Sequence, residues 1–372
     1  MPAGSKLRKT SSSSPNRLSL ALPAVGWFTV VVFAVPLAYL LREALASGRL
    51  ADVVSDSRLT GPLARSLALA TATSLVAVVV GATLAWLVIR TDLPGRRALS
   101  VAAALPLVIP SYVAATSLLA AFGSGGLVPQ IPRPGGFWGS LVVLTAVTYP
   151  YVYLPVAARL RAMPASLEEA GRSLGDGTAA VVRRIVLPQA RGIIGAGALI
   201  VFLYSISDFG AVSLMRYDTT TRAIFASRLA DRGTALSLGL IIGLLALVVA
   251  AATRSSHDSE EPPASAVPPR IYGLGRARHA VAGAVTILMA LVLVTPITVF
   301  TVWWVRGSGT SQLVDSLADL VGPALHSAGA GLAAGAAAMV LLMPAAYLVA
   351  RRPGRTAAVA NLMIASTFAV PG

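Results

Sequence analysis

SLEEAGRSLGDGTAAVVRRIVLP, residues 166–188, is a polar and basic stretch in a chain whose other long runs are apolar. Pro164 closes the apolar run before it. Ser166 and Glu169 stand in the S-x-x-E relation of a capping box, in which serine satisfies an orphan amide and glutamate reaches back to the cap. This predicts a first helix over 167–174. Gly175 then ends it, because the left-handed residue that follows a helix costs glycine little. Asp176 or Thr178 is placed to cap a second helix through Ile185, predicted to break at Pro188, whose ring blocks continuation. At its plainest such a hairpin is a connection between two apolar runs, with Glu169 as a cap.

Outward from this stretch the chain reads as an all-α polytopic membrane protein. Its 372 residues are 56% hydrophobic and 12% charged, with a mean hydropathy of +0.76. A soluble domain carries about 25% charged residues. Apolar runs at 18–41, 62–89, 99–122, 137–158, 192–215, 235–253, 280–304 and 323–350 approach or exceed the about 20 residues that cross a bilayer. A last apolar run covers 356–370. The first run is longer than a signal-peptide core of about 7–15 residues, so it is expected to stay as an uncleaved span. Residues 1–17 are Ser-rich and basic and predict a disordered tail. Residues 254–278 are Pro-rich with mixed charge and predict an extended, solvated linker.

The net charge of +15 does not point to nucleic acid, because the arginines fall between apolar runs and no aromatic stacking platform accompanies them. It points to orientation. With the N-terminus inside and the spans alternating, two-thirds of the 30 lysines and arginines fall on the cytoplasmic side, as the positive-inside rule requires. Residues 166–188 then lie in the cytoplasm. The absence of cysteine excludes disulfides and thiolate metal sites, and His257, His279 and His326 have no ligand spacing. No cofactor is expected.

Glu169-Ala170-Gly171, three residues, Gly175, nine residues, then Ile185-x-Leu187-Pro188 resembles the coupling loop of ABC-importer permeases, E-A-A-x3-G-x9-I-x-L-P. One position departs: Gly171 replaces the second alanine. The resemblance implies a type I importer-like transmembrane domain in the bacterial inner membrane. It also implies that Glu169, Ala170, Gly171, Gly175, Ile185, Leu187 and Pro188 form the surface that docks an ABC ATPase subunit, in two copies per importer. An extracytoplasmic solute-binding protein is the further implied partner. The chain has no Walker A motif, so it is expected to be a transport subunit and not an enzyme, with ATP hydrolysed by a separate chain.

An internal repeat supports a two-half architecture. Gly61-Pro62, Ser66 and Arg90 recur as Gly322-Pro323, Ser327 and Arg351, and Pro94-Gly95-Arg96 recurs as Pro353-Gly354-Arg355. An even number of spans between equivalents makes the halves parallel, with a substrate path between them. The expected organisation is a first six-helix domain over 18–253 with its loop at 164–190, a linker over 254–278, and the start of a second domain over 279–372. By the repeat, a continuation beyond Gly372 is expected, with a second coupling loop near residue ~430.

Asp208 lies inside an apolar run, about 24 Å along its span by the helical rise. An acid there faces either a bundle interior or a water-filled path, so Asp208 and Tyr204 are candidates for the translocation path, with a polar helix–helix contact as the plain alternative. Residues 207–225 are similar to the corresponding segment of ferric-iron importer permeases, which implies iron(III) as cargo, with recognition mostly in the binding protein. Thiamine importers share the fused architecture. An ion-coupled secondary transporter would need several intramembrane acids, and Asp208 stands alone. Gly239-x-x-x-Gly243 and Gly331-x-x-x-Gly335 are expected to pack helices closely. Pro106, Pro110, Pro150 and Pro155 are expected to kink their spans.

Overall fold

The computed structural model describes residues 17–123, 125–254, 270–306, 318–351 and 359. All but Arg17 of the expected tail at 1–17, most of the linker and all but one residue of the last apolar run lie outside them. Among the described residues the protein is helical apart from two isolated bridges. The helices are α1 (Arg17–Ser47), α2 (Leu50–Ser55), α3 (Ser57–Arg90), α4 (Arg96–Ala102), α5 (Ser111–Ala121), α6 (Gly136–Thr148), α7 (Pro150–Ala162), α8 (Ala165–Ser173), α9 (Thr178–Val181), α10 (Leu187–Ser207), α11 (Gly210–Leu214), α12 (Thr220–Ser227), α13 (Arg232–Arg254), α14 (Arg278–Val305) and α15 (Ala318–Arg351). Among the described residues seven segments are long and apolar enough to cross a membrane, or eight with a bent pair counted as one.

That bent pair covers the run at 99–122, where Pro106 and Pro110 were expected to kink the span. Residues 96–108 and Ser111–Ala121 meet at 99°. The cause is local: Pro106 sits in a short 3-10 turn and Pro110 is the extended residue before α5. Pro150 acts differently. The residue between α6 and α7, Tyr149, keeps helical angles, so the two run on as one span.

The chain forms two compact units, residues 36–315 with 365–372, and residues 1–35 with 316–364. In the larger unit α3, α7 and α10 make the centre. A Cβ on Gly81 would lie 2.8 Å from the Tyr149 carbonyl, and one on Gly197 would lie 2.9 Å from the Tyr151 carbonyl. Glycine at both places lets α3 and α10 press backbone to backbone on α7, which is how helices associate where lipid is as apolar as a side chain. Leu84, Val88, Val152, Val156, Leu160 and Val201 fill the core between them. The outward side chains Leu75, Val79, Val142 and Val248 are exposed, as a lipid-facing surface requires.

The glycines singled out from the sequence do less. Gly239 makes ordinary contact with Leu40, and Gly331 and Gly335 have open space beside them. In the smaller unit α15 is exposed over nearly all its described length.

α14, assigned from sequence to the second half, buries Val285 and Met289 in the core of the first-half helices, and the Tyr149 hydroxyl lies 3.4 Å from the Met289 sulfur.

Candidate functional site

α8 starts one residue before Ser166, because Pro164 supplies the extended N-cap and Ala165 the first helical residue. The expected capping box therefore does not form: Ser166 is already inside the helix, and no side chain caps it. The other end follows the sequence. Gly175 has φ +89°, the Asp176 amide donates to the Gly171 carbonyl, and the Gly175 amide donates to the Arg172 carbonyl. These are the paired bonds of a Schellman ending.

The second helix differs from its prediction at both ends. Gly177 is its N-cap, without a side-chain bond, and Asp176 instead pairs with Arg184 Nη1 at 2.9 Å. Pro188 does not stop it. A π-helical turn over Val182–Val186 precedes Leu187, and α10 runs on through Pro188 to Ser207. In a regular helix a proline ring clashes with the carbonyl four residues before it, and the π turn falls on those residues.

Gly171 explains its own departure from the coupling-loop pattern. A Cβ there would lie 2.5 Å from Ile185 Cδ1, so the terminal methyl of the motif's isoleucine occupies the space an alanine would need. The two short helices are thus joined through motif positions. Leu167, Glu169, Ala170, Arg172, Ser173 and Leu174 face outward, with Leu174 88% exposed. Ile185 is half-buried, and Leu187 and Pro188 are exposed beyond the π turn.

The residue that ties this loop to the bundle is one that sequence reasoning passed over. Glu168 and Arg90 are both 0% exposed, with Arg90 Nη1 2.6 Å from Glu168 Oε1. The approach is poorly aligned for a hydrogen bond, so the contact is an ion pair, and Arg90 Nε and Nη2 have no hydrogen-bond partner among the described residues. Glu168 Oε2 accepts a 2.5 Å bond from the Tyr272 hydroxyl. Burial first, and then the Glu168 carboxylate, push that hydroxyl up to about 12.

Tyr272 belongs to the expected linker, whose described end is not free. Tyr272 N–H donates to the Arg90 carbonyl at 2.7 Å, Asp92 N–H donates to the Tyr272 carbonyl at 3.1 Å, and the Leu274 amide donates to Asp92 Oδ1 at 2.7 Å. The Tyr272 ring lies 5.3 Å from that of Trp86. Three elements therefore meet at one buried charge pair: the end of α3, the loop helix α8, and the strap leading to α14. A signal was present in the sequence, since Ala165, Glu168 and Gly171 recur every three residues and form the buried side of α8, while Glu169 falls on the outer side.

At the other end of the bundle Arg65 Nη2 pairs with Asp218 Oδ2 at 2.5 Å, and the Gly136 amide donates to the Met215 carbonyl at 2.6 Å. Arg65, near the start of α3, and Arg90, at its end, thus lie at opposite ends of that helix. Asp208 follows the last residue of α10 in extended backbone and is 9% exposed. Its Oδ2 accepts a 2.5 Å bond from Ser111 Oγ, and its Oδ1 accepts from the Ala211 amide at 2.9 Å. The carboxylate therefore joins the starts of α5 and α11 at the break in α10. Tyr204 is half-buried one turn before it, 6.1 Å from the Tyr151 ring. Among the described residues no group of three or more His, Cys, Asp or Glu side chains is placed to hold a metal ion.

Residues 77–258 match the family described as binding-protein-dependent transport system inner membrane component. The chain is 29% identical over 207 residues to the Fe(3+)-transport system permease protein FbpB 2 of Haemophilus influenzae, covering 54% of this chain and 39% of that one. It is 29% identical to a probable molybdenum ABC transporter permease protein of Haloferax volcanii, over 60% of this chain and 87% of the relative. It is 27% identical to the sulfate transport system permease protein CysT of Salmonella typhimurium, over 50% and 70%. The chain thus spans well under half the length of the first of these relatives. The matched residues run from the middle of α3 past the end of α13, and take in the loop, its buried anchor and the Asp208 break. Residues 77–258, just under half of the chain, are thus similar to the membrane component of binding-protein-dependent transport systems, and the helical bundle with its apolar spans is of the type I importer transmembrane fold.

Proposed function

We propose that this chain forms the membrane path of an ATP-driven importer of ferric iron, delivered by an extracytoplasmic binding protein and coupled to two copies of a separate ATPase. The observation that carries the coupling is the loop over Ala165–Ser173 and Thr178–Val181. It presents Leu167, Glu169, Ala170 and Leu174 outward, while Glu168 fixes it to α3 from below. An exposed leucine pair on a charged, rigidly based hairpin suits a groove on a soluble partner. In this reading the N-terminus and the loop are cytoplasmic, in the bacterial inner membrane. Asp208 and Tyr204 border the path where α10 gives way to α11, and touch the cargo only in passing.

Iron rests on the similarity of residues 207–225 to ferric-iron permeases and on the Haemophilus relative. A second reading, import of an oxyanion of the molybdate or sulfate kind, is favoured by the Haloferax and Salmonella relatives and by Arg216, Arg222, Arg228 and Arg232 at the end away from the loop. Proteoliposomes holding the permease, its ATPase and its binding protein decide between them. Uptake of labelled iron(III) with ATP supports the first reading, and uptake of molybdate or sulfate without iron establishes the second. ATPase binding that survives replacement of both Leu167 and Leu174 by aspartate would refute the docking face.

A further inference from the structure

Beside the loop, on the face of the bundle between α4 and α7, two cavities adjoin. The first, of about 320 Å³, is lined by Arg96, Arg97 and Arg161 together with Val88, Ile89 and Ile271. The second, of about 480 Å³, is lined by apolar side chains that include Val101, Leu105, Val108 and Leu154. They share Ser100 and Arg161, so one opens into the other. None of the three arginines makes an ion pair with a described carboxylate, and all three are exposed. Val101, Leu105, Val108 and Leu154 are exposed too.

From these we infer that the two cavities together hold one anionic glycerophospholipid, its phosphate on Arg96, Arg97 and Arg161 and its acyl chain along Val101, Leu105, Val108 and Leu154. The order of the residues matches the molecule. Arg96 and Arg97 open α4 at the end of the bundle that carries the loop, and the apolar residues follow about 10 Å further along the helix and its 3-10 continuation, toward the membrane interior. Guanidinium groups bind phosphate oxygens in pairs. Three of them gathered around one small cavity favour a lipid with net negative charge and disfavour a choline headgroup, whose cation they repel. A free anion would use the first cavity and leave the second unexplained. The site is separate from the α8 docking face, and it holds whichever cargo the protein carries.

The test is lipid binding to purified full-length protein by native mass spectrometry, with phosphatidylglycerol, phosphatidylcholine and inorganic phosphate as probes. The expected result is a clear preference for phosphatidylglycerol over phosphatidylcholine. That preference falls roughly a hundred-fold in Arg96→Gln/Arg97→Gln/Arg161→Gln, from the attraction that each arginine at a membrane surface contributes. It stays unchanged in a charge-matched control, Arg216→Gln/Arg222→Gln/Arg228→Gln. Leu154→Trp, which keeps every charge and fills the apolar cavity, is expected to lower lipid retention as well. It reads the site even if the triple variant fails to fold. Equal retention of both lipids, retention of phosphatidylglycerol by the triple variant, or full competition by inorganic phosphate would each overturn the assignment. So would a triple variant that keeps the lipid and loses only the ATPase.

Discussion

Replacing Glu168 by glutamine removes one charge from a pair whose side chains are fully buried. The side chain keeps its length, and its carbonyl oxygen still accepts from Tyr272. What is left is Arg90, 0% exposed, with Nε and Nη2 already unpartnered among the described residues and now with no counter-charge. Breaking a buried pair from one side costs about 3–5 kcal/mol, because the remaining ion is both desolvated and uncompensated. Arg90→Met should cost a similar amount, this time stranding the carboxylate. The double variant Arg90→Met/Glu168→Leu should recover most of the loss, since a buried pair replaced by apolar side chains is often neutral or stabilising. The cycle, closed with Glu168→Leu as the matching single variant, should therefore show a coupling energy above about 2 kcal/mol, at or beyond the top of the range usual for contacting residues. Reversible unfolding in detergent, followed by tryptophan fluorescence, measures it. Trp86, packed on Tyr272, lies beside the perturbed pair. Hydrogen exchange supplies the local reading. Glu168 holds α8 on α3, so about 3 kcal/mol lost there should raise exchange of the 165–174 amides roughly a hundred-fold, at 1.4 kcal/mol per decade. Single variants within about 1 kcal/mol of wild type, or strictly additive losses, would refute the claim that this pair anchors the loop.

Three further outcomes are expected. Gly175→Val should destabilise the loop by about 1–2 kcal/mol, the cost of a left-handed residue with a Cβ, while Gly175→Asn costs less; transport assays on the two should separate in the same order. Gly197→Leu should disrupt the protein far more than Gly239→Leu, because a Cβ at 197 meets the α7 backbone at 2.9 Å and one at 239 meets only a flexible Leu40 side chain at 3.6 Å; the yield of folded protein on size exclusion reads this. The Tyr272 phenol has its folded pKa raised to about 12 above an unfolded value of 10.0, so its contribution to stability is complete below pH 10 and is lost as the pH rises toward 12. The phenolate absorbance of wild type minus Tyr272→Phe should show that late transition, and a midpoint near 10 would mean that the hydroxyl does not face Glu168.

The sequence by itself determined what depends on neighbours along the chain. Apolar run length placed the spans, because a bilayer demands about 20 apolar residues wherever they occur. The left-handed Gly175 was legible because a Schellman ending is closed by bonds within six residues. The bend at Pro106 and Pro110 was legible because a proline acts on its own backbone. Two local readings still failed. Pro164 took the N-cap that Ser166 was expected to supply, and a π turn let the helix pass Pro188. In each case another local geometry satisfied the same backbone groups.

Only the tertiary structure decided what depends on residues far apart in the chain. Glu168 and Glu169 are adjacent acids, and although the spacing of Ala165, Glu168 and Gly171 marks a buried side, only the packing of α8 shows that Arg90 lies opposite Glu168. Gly171 read only as a departure from the coupling-loop pattern, and the packed structure puts Ile185 Cδ1 where an alanine methyl would lie. Asp208 could have faced water or protein, and its carboxylate proved to be engaged by Ser111 and the Ala211 amide. The strap at Tyr272 read as solvated linker, because the carbonyl, amide and carboxylate that receive it belong to Arg90, Asp92 and Glu168. A buried charge or a bare glycine has a meaning only in relation to the atom opposite it. That atom is chosen by how α3, α7, α8 and α10 pack, which no stretch of the chain encodes alone.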